Sequence, residues 1–245
     1  MSKSHVQIPA SLLKPFSINK NTYKVYVMNA DGLIAEESIK KCNTIENYYS
    51  DYVESEILAN LESQFGEVKN KIIVAVKESC NIYLSDKELE TLKCFVMITF
   101  ARNPWFAKQL RKSQIFDFGL SIEDYSIVAT NSSYHVFEEH FSDFYLSLFI
   151  NKTKIRLVIP QNVIFVAPDK RYLLFVLPIS PNIAILFGQL KNVDNCFVCK
   201  SENTILRFNE AAVQQELNAP KDKSFKHIYA HDSSELEVAK RYINN

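Results

Sequence analysis

Residues 51–79 read DYVESEILANLESQFGEVKNKIIVAVKES, and this stretch decides how the first half of the chain folds. At about 100° per residue, its apolar side chains fall on one stripe of a helix. The stripe is made of Ile57, Leu58, Leu61, Phe65, Val68, Ile72 and Val76. We therefore predict a long amphipathic helix that begins near Ser50 or Asp51 and runs to about Ser79.

A second helix is predicted directly after the first. Ser85-Asp-Lys-Glu88 has the form of a capping box, in which the serine and glutamate side chains satisfy free N–H groups at a helix start. The stretch from Cys94 to Ala101 is apolar all round, so we expect it to be buried. Asn103-Pro104 predicts an end or a kink, because the residue before a proline disfavours the helical conformation. Short helices are predicted to follow to about residue 140.

The rest of the chain contains short runs of β-branched and aromatic residues. Thr22–Met28 and Leu33–Ile39 flank the turn signal Asn29-Ala-Asp-Gly32 and predict a hairpin. Five more runs predict an antiparallel meander: Phe144–Ile150, Ile155–Ile159, Val163–Val166, Tyr172–Leu177 and Ile183–Phe187. Helical spacing returns near Ile205, and Ser233–Ile243 reads as a last amphipathic helix.

These patterns predict an α+β fold in which helices, strands and helices follow one another along the chain. We expect a single domain over residues 1–245. Its long helical N-terminal half, about 45–140, packs on an antiparallel β-meander at about 143–190. Helices at about 204–243 complete the prediction.

Composition excludes several classes of enzyme. The chain has four glycines, at 32, 66, 119 and 188, and no two are within thirty positions of each other. Walker-type, dinucleotide-binding and protein-kinase sites need clustered glycines, because only glycine lets the backbone approach a phosphate so closely. We therefore predict no cofactor.

The charge balance and the cysteine content limit which partners and which cellular compartment are expected. Lys+Arg and Asp+Glu number 28 each, which argues against a general basic surface for nucleic acid. Two small basic clusters either contact RNA or DNA phosphates or simply face water: Lys108, Arg111 and Lys112, and Lys221, Lys223 and Lys226. The apolar runs are too short to span a membrane, so we predict no membrane partner. Five cysteines without a secretion-type N-terminus predict a cytoplasmic protein.

Two charged residues are predicted to point inward. Glu54 lies at the middle of the apolar stripe, and Arg102 lies on the same side of the second helix as Phe95 and Ile98. Each is costly to bury alone, so we expect the two to meet. Either they form a structural ion pair, or Arg102 holds a phosphate while Glu54 orients it or acts as a base. Glu62, two turns on, is an accessory acid–base or metal-binding carboxylate.

A zinc site is the weaker alternative. Cys196-Phe-Val-Cys199 has the spacing of half a site, and four ligands are needed. His227 and His231 would share one face if they lay on a helix. An isolated CxxC at such long spacing is a weak signal, so we predict no metal and two cysteines packed against the sheet.

Several segments occur in an order that resembles a bacterial family. They are His5-Val-Gln-Ile-Pro9 with Leu13 and Phe16, Ile45–Ser50 with Val53–Glu62, Arg102-Asn-Pro104, Pro178-Ile-Ser-Pro181 and Asn209-Glu210. The family is catalogued as domain of unknown function 4238. In its members a Ser-Asp-Asn-Pro turn stands where this chain has Ile159-Pro-Gln-Asn162, and the opening histidine is one position nearer to the proline. If that aspartate and histidine serve catalysis in relatives, this copy is inactive or altered.

The sequence leaves open whether the protein is an enzyme. Its resemblance to accessory genes for phage resistance favours a cytoplasmic bacterial defence protein that acts on nucleic acid or a phosphoester. Glu54, Glu62 and Arg102 are then the catalytic candidates. The alternative is a non-enzymatic protein-binding module in which Glu54–Arg102 is only a structural ion pair. RNA or DNA, or a protein, is the expected partner.

Overall fold

The computed structural model describes residues 4–6, 8–19, 21–42, 44–46, 49–78, 82–102, 145–168, 174–188, 196–219 and 226–243. Contacts divide the chain into two compact units. The helical unit comprises Met1–Gln7 and Thr44–Ser142, and the sheet unit comprises Ile8–Asn43 and Asp143–Asn245. Each is described by itself.

The elements are named in chain order. The strands are β1 (Ser4–Val6), β2 (Lys24–Met28), β3 (Ile34–Ser38), β4 (Thr44–Glu46), β5 (Tyr145–Asn151), β6 (Ile159–Pro160), β7 (Phe165–Val166), β8 (Leu174–Ser180), β9 (Ile183–Gly188), β10 (Cys196–Cys199) and β11 (Ile228–Ala230). The α-helices are α1 (Ala10–Leu13), α2 (Ile39–Cys42), α3 (Ala59–Lys77), α4 (Asp86–Ala101), α5 (Glu202–Asn218) and α6 (Ser233–Lys240). A 3₁₀ turn covers Lys14–Phe16 and a π-helical turn covers Val53–Leu58.

The long predicted helix of the helical unit is confirmed, with one difference. The Ser50 hydroxyl accepts a hydrogen bond from the Val53 N–H at 3.3 Å and caps its start. Its first part is the π-helical turn, and α3 then continues to Lys77. Phe65 and Ile72 on the predicted stripe are fully buried, so the apolar stripe packs into the core as expected.

The capping box at the start of α4 is also confirmed. The Ser85 N–H donates to Glu88 Oε2 at 2.7 Å, and the Glu88 N–H donates to Ser85 Oγ at 3.3 Å. The rings of Phe65 and Phe95 stack with centroids 3.6 Å apart and join α3 to α4. The helix ends at Ala101. Asn103-Pro104 and the short helices predicted to about residue 140 lie outside the described residues.

Two sheets form the sheet unit in the part of the chain that is described. The strand order is β10-β5-β9-β8-β7 in one and β3-β2-β11-β6 in the other. The predicted N-terminal hairpin is confirmed as β2 and β3. At its turn the Asn29 side chain accepts from the Leu33 N–H at 3.0 Å, and Gly32 takes a φ of 76°, which favours glycine.

The single predicted meander is wrong in one respect: β6 belongs to the other sheet, where it pairs with β11. Strand β10, which lies beyond the predicted meander, runs parallel to β5. The predicted strand Ile155–Ile159 is regular only at its end, because Asn209 holds the backbone before it. The Asn209 side chain accepts from the Val158 N–H at 3.1 Å and donates to the Arg156 carbonyl at 2.8 Å. A buried side chain thus takes the place of strand pairing.

The C-terminal helices complete the sheet unit and confirm the α+β class. Helix α5 begins at the Ser201 cap, and α6 begins at a capping box formed by Asp232 and Glu235. The last helix ends at Lys240 rather than Ile243. Buried Val176, Val213 and Leu236 belong to one core. The single domain and the packing of the helical half on the sheet stay predictions.

Candidate functional site

Just after the end of α4, a buried arginine, Arg102, lies against the carboxylate of Glu62. Arg102 follows the last residue of α4, and its Nη1 donates to Glu62 Oε1 at 2.7 Å. The arginine side chain is 7% exposed and the glutamate side chain is 23% exposed. The prediction that Arg102 turns inward is therefore confirmed. This bond joins Arg102 to Glu62, which was predicted to be accessory to Glu54.

Tyr49 also contacts the guanidinium, and sequence reasoning missed it. The Arg102 guanidinium carbon lies 5.6 Å from the centre of the Tyr49 ring, in reach of a cation–π interaction. The tyrosine hydroxyl also accepts a hydrogen bond from Arg102. Tyr49 is buried in the core cluster that contains Val53 and Leu58. It precedes the predicted helix, so no helical periodicity pointed to it.

Glu54 lies in the π-helical turn that precedes α3. Its residue is half-buried. Its negative charge raises the pKa of both Glu62 and Tyr49, which places it beside the same cluster. We call Tyr49, Glu54, Glu62 and Arg102 the arginine cluster.

Burial and charge set the proton affinities in the arginine cluster. Burial raises the pKa of Glu62; Arg102 opposes this and Glu54 adds to it, and the net direction is upward. Burial also raises the pKa of Tyr49. For Arg102 burial acts to lower the pKa, but the interactions with Tyr49 and Glu62 outweigh burial and raise the pKa. The guanidinium therefore stays charged, while Glu62 holds its proton to a higher pH than a free glutamate.

The cluster suits proton transfer better than direct capture of an anion. Arg102 is nine-tenths buried and already donates to Glu62 and Tyr49. Residues 43–68 contain six acidic residues, Glu46, Asp51, Glu54, Glu56, Glu62 and Glu67, and no lysine or arginine. A carboxylate with a raised pKa and partial exposure is a typical acid–base group.

The alternative zinc candidates are spread over different elements. Cys196 is exposed and Cys199 is buried. They are three positions apart on β10, and such residues point to opposite faces of a strand. His227 and His231 do not lie on a common helix, because β11 lies between them. His231 Nδ1 lies 3.0 Å from the Ser17 carbonyl oxygen. Within the described ranges, no group of three or more His, Cys, Asp or Glu residues is arranged to hold a metal ion.

The predicted basic clusters lie mostly beyond the described residues. Lys108, Arg111, Lys112, Lys221 and Lys223 fall in the gaps. Lys226 is described, and its Nζ donates to the Leu217 carbonyl. Among the helices of the described ranges, none is long and apolar enough to cross a membrane.

Comparison with known proteins supports the resemblance stated above. A family model described as "Protein of unknown function (DUF4238)" matches residues 5–119. The chain resembles this family over that range, which includes Glu54, Glu62 and Arg102. The motifs at 159–162, 178–181 and 209–210 lie beyond the match, so a likeness there stays a prediction. No curated protein and no solved structure matches the chain significantly.

Proposed function

We propose that the protein acts on a phosphoester of a nucleic acid through the arginine cluster, with Glu62 as the proton-transfer group. The observation that carries the proposal is the 2.7 Å bond from a buried guanidinium to a carboxylate that is 23% exposed. In this arrangement the guanidinium holds one carboxylate oxygen, and the glutamate side chain stays partly exposed to solvent. Glu62 is then held in one orientation, as an acid–base group must be.

The residues of the cluster take different roles in this proposal. Cleavage of a phosphoester needs a proton for the leaving oxygen and a base for the attacking group. Glu62, whose pKa is raised by burial, supplies the proton, and Glu54 is the second carboxylate. Arg102 is a positioning residue for Glu62, and its fixed charge also favours negative charge that develops on a phosphoryl oxygen.

The biological setting is part of the same proposal. The composition, which is rich in Lys, Asn, Ile and Phe and poor in Gly, is typical of a gene from an AT-rich bacterium. The resemblance to phage-resistance accessory genes of AT-rich bacteria supports a cytoplasmic accessory protein of the phage-defence type.

A non-enzymatic protein-binding module is the second candidate. It is favoured by the same burial of Arg102, because an arginine bonded to Glu62 and stacked on Tyr49 is also what a structural strut between helices requires. The acidic composition of residues 43–68 points the same way, since it repels a polyanion.

A cleavage assay separates the two candidates. Purified protein is incubated with labelled single- and double-stranded RNA and DNA, and the products are resolved by size. We expect Glu62→Gln to lose about 100-fold or more of the activity. Glu88→Gln is the matched control, because Glu88 joins the same two helices through Lys71 at 2.8 Å on the surface. Absence of cleavage by the wild-type protein, or full activity of Glu62→Gln, contradicts the enzymatic proposal.

A further inference from the structure

The π-helical turn Val53–Leu58 contains Glu54, one of the four residues of the arginine cluster. The Glu54 N–H donates to the Ser50 carbonyl at 3.0 Å, four residues back, as in an α-helix. The Ala59 N–H donates to the Glu54 carbonyl, five residues back, which is the π pattern. Such turns are rare and are frequently found at functional sites. The Glu54 carbonyl is thus an acceptor in this irregular turn.

Helix geometry shows what the turn does to the spacing of the two glutamates. Glu54 and Glu62 are eight residues apart. In an unbroken α-helix this spacing leaves them about 80° apart around the axis. A π-turn absorbs one extra residue, so the rotation falls by about 100° and the two lie within roughly 20° of each other.

Burial of the neighbouring apolar residues explains why this turn forms. Val53, Ile57 and Leu58 are 0%, 8% and 1% exposed. Positions i, i+4 and i+5 spread over about 140° of an α-helix, but over about 80° of a π-turn, which has more residues per turn. The π-turn therefore buries all three side chains on one side, and their burial offsets its weaker hydrogen bonding.

We propose that the π-helical turn is a positioning device, which holds Glu54 on the same side of the helix as Glu62 so that the two carboxylates act as one pair at Arg102. This deepens the proposed function and rests on it for its chemistry. Among the residues that the structure describes, Arg102 after α4 and Glu54 in the turn act on the pKa of Glu62, and Glu62 and Glu54 act on that of Tyr49. The negative charge of Glu54 disfavours a negative charge on Glu62, so the Glu62 carboxyl reports whether Glu54 lies beside it.

The test changes the number of residues in the turn. Deletion of Ser55, an exposed residue, places the two glutamates seven positions apart, which is about two turns of an ordinary α-helix. The deletion variant should fold and keep Glu54 beside Glu62. Insertion of one alanine after Ser55 places the two glutamates nine positions apart and should turn Glu54 away from Glu62.

The readout is the titration of the Glu62 carboxyl carbon by NMR in selectively labelled protein, which needs no enzymatic activity. The Glu62 pKa should fall in Glu54→Gln and in the insertion variant, and it should stay raised in the deletion variant. Glu56→Gln, an exposed carboxylate in the same turn, is the control and should leave it unchanged.

Each outcome decides the proposal. An unchanged Glu62 pKa in Glu54→Gln overturns it, because the two carboxylates then do not interact. A deletion variant that fails to fold, or that titrates like Glu54→Gln, overturns it as well. If the insertion variant does not fold, Glu54→Gln and the deletion still give the answer. A protein that cleaves no nucleic acid but shows this titration pattern refutes the proposed reaction and leaves the carboxylate pair intact.

Discussion

Two ion pairs tie the first long helix to the end and to the start of α4, and they differ mainly in the exposure of the cation. Glu62–Arg102 and Lys71–Glu88 have bonds of 2.7 and 2.8 Å, and the two carboxylate side chains are 23% and 24% exposed. The arginine side chain is 7% exposed, whereas the lysine side chain is 48% exposed. The pKa of Glu62 is raised by burial, while the pKa of Glu88 is lowered by its hydrogen bonds to Lys71 and Ser85. Bond length therefore does not decide what an ion pair contributes; desolvation does.

The largest effect on stability is expected when the buried pair Glu62–Arg102 is broken. Arg102→Met leaves the mostly buried Glu62 without its cation, and we expect the free energy of unfolding to fall by about 3 kcal/mol. Partial exposure of Glu62 keeps the loss from being larger. Urea denaturation followed by circular dichroism measures it. Lys71→Met is the matched control and should remain within error of the wild type. Equal midpoints for the two variants would contradict the contrast between the pairs.

A double-mutant cycle sharpens the same comparison. Combining Glu62→Leu with Arg102→Met should recover part of the stability lost by Arg102→Met alone, because no charge is then left unpaired. We expect a coupling energy of about 2 kcal/mol for the buried pair. The cycle on Lys71 and Glu88 should show none within error. Coupling of similar size in both cycles would show that exposure is not the deciding factor.

Removal of the Tyr49 hydroxyl tests the third partner of the guanidinium. Tyr49→Phe keeps the ring beneath Arg102 and deletes the acceptor, so the free energy of unfolding should fall by about 1 kcal/mol. Tyr83→Phe removes a hydroxyl from a side chain that is 78% exposed and should change nothing measurable. Thermal and urea unfolding of both variants check this. If the free energy of unfolding of Tyr49→Phe equals that of the wild type, the hydroxyl contributes nothing and Tyr49 stabilises the fold through its ring alone.

The smallest effect is a pH dependence of opposite sign for the two glutamates. A carboxyl with a raised folded-state pKa stabilises the fold less as the pH rises above its unfolded value, taken as 4.5. One with a lowered pKa stabilises the fold less as the pH falls below 4.5. The difference in stability between wild type and Glu62→Gln should change above pH 4.5, and that for Glu88→Gln below it. Unfolding titrations across pH 3–8 measure both. Changes in the same pH range for both variants would refute the assignment.

Local patterns of sequence predicted the regular parts of the helical unit well. The apolar stripe from Phe65 to Ile72 needs only a 3.6-residue period, and the capping box at Ser85 needs only four residues. The inward turn of Arg102 followed from the same periodicity. The hairpin of the sheet unit followed from its turn signal.

Glu62, which bonds to Arg102, was predicted only as an accessory residue, and the reason is geometric. A helical wheel assumes a constant rotation per residue, and the π-helical turn breaks that assumption between Glu54 and Glu62. Positions on either side of such a turn shift by about 100°, so a wheel drawn through it misjudges their relation. Spacing i, i+4, i+5 of the buried Val53, Ile57 and Leu58 was the available signal.

By itself the sequence determined the α+β class, the long helices and their caps, and the presence of a buried arginine, because each depends on residues within about one or two turns of one another. Only the tertiary structure decided that Glu62 binds this arginine, that Tyr49 lies under it and that β10 runs parallel to β5. These contacts join residues far apart in the chain. Their choice depends on desolvation and on competition among all the segments that fold together, which no local pattern records.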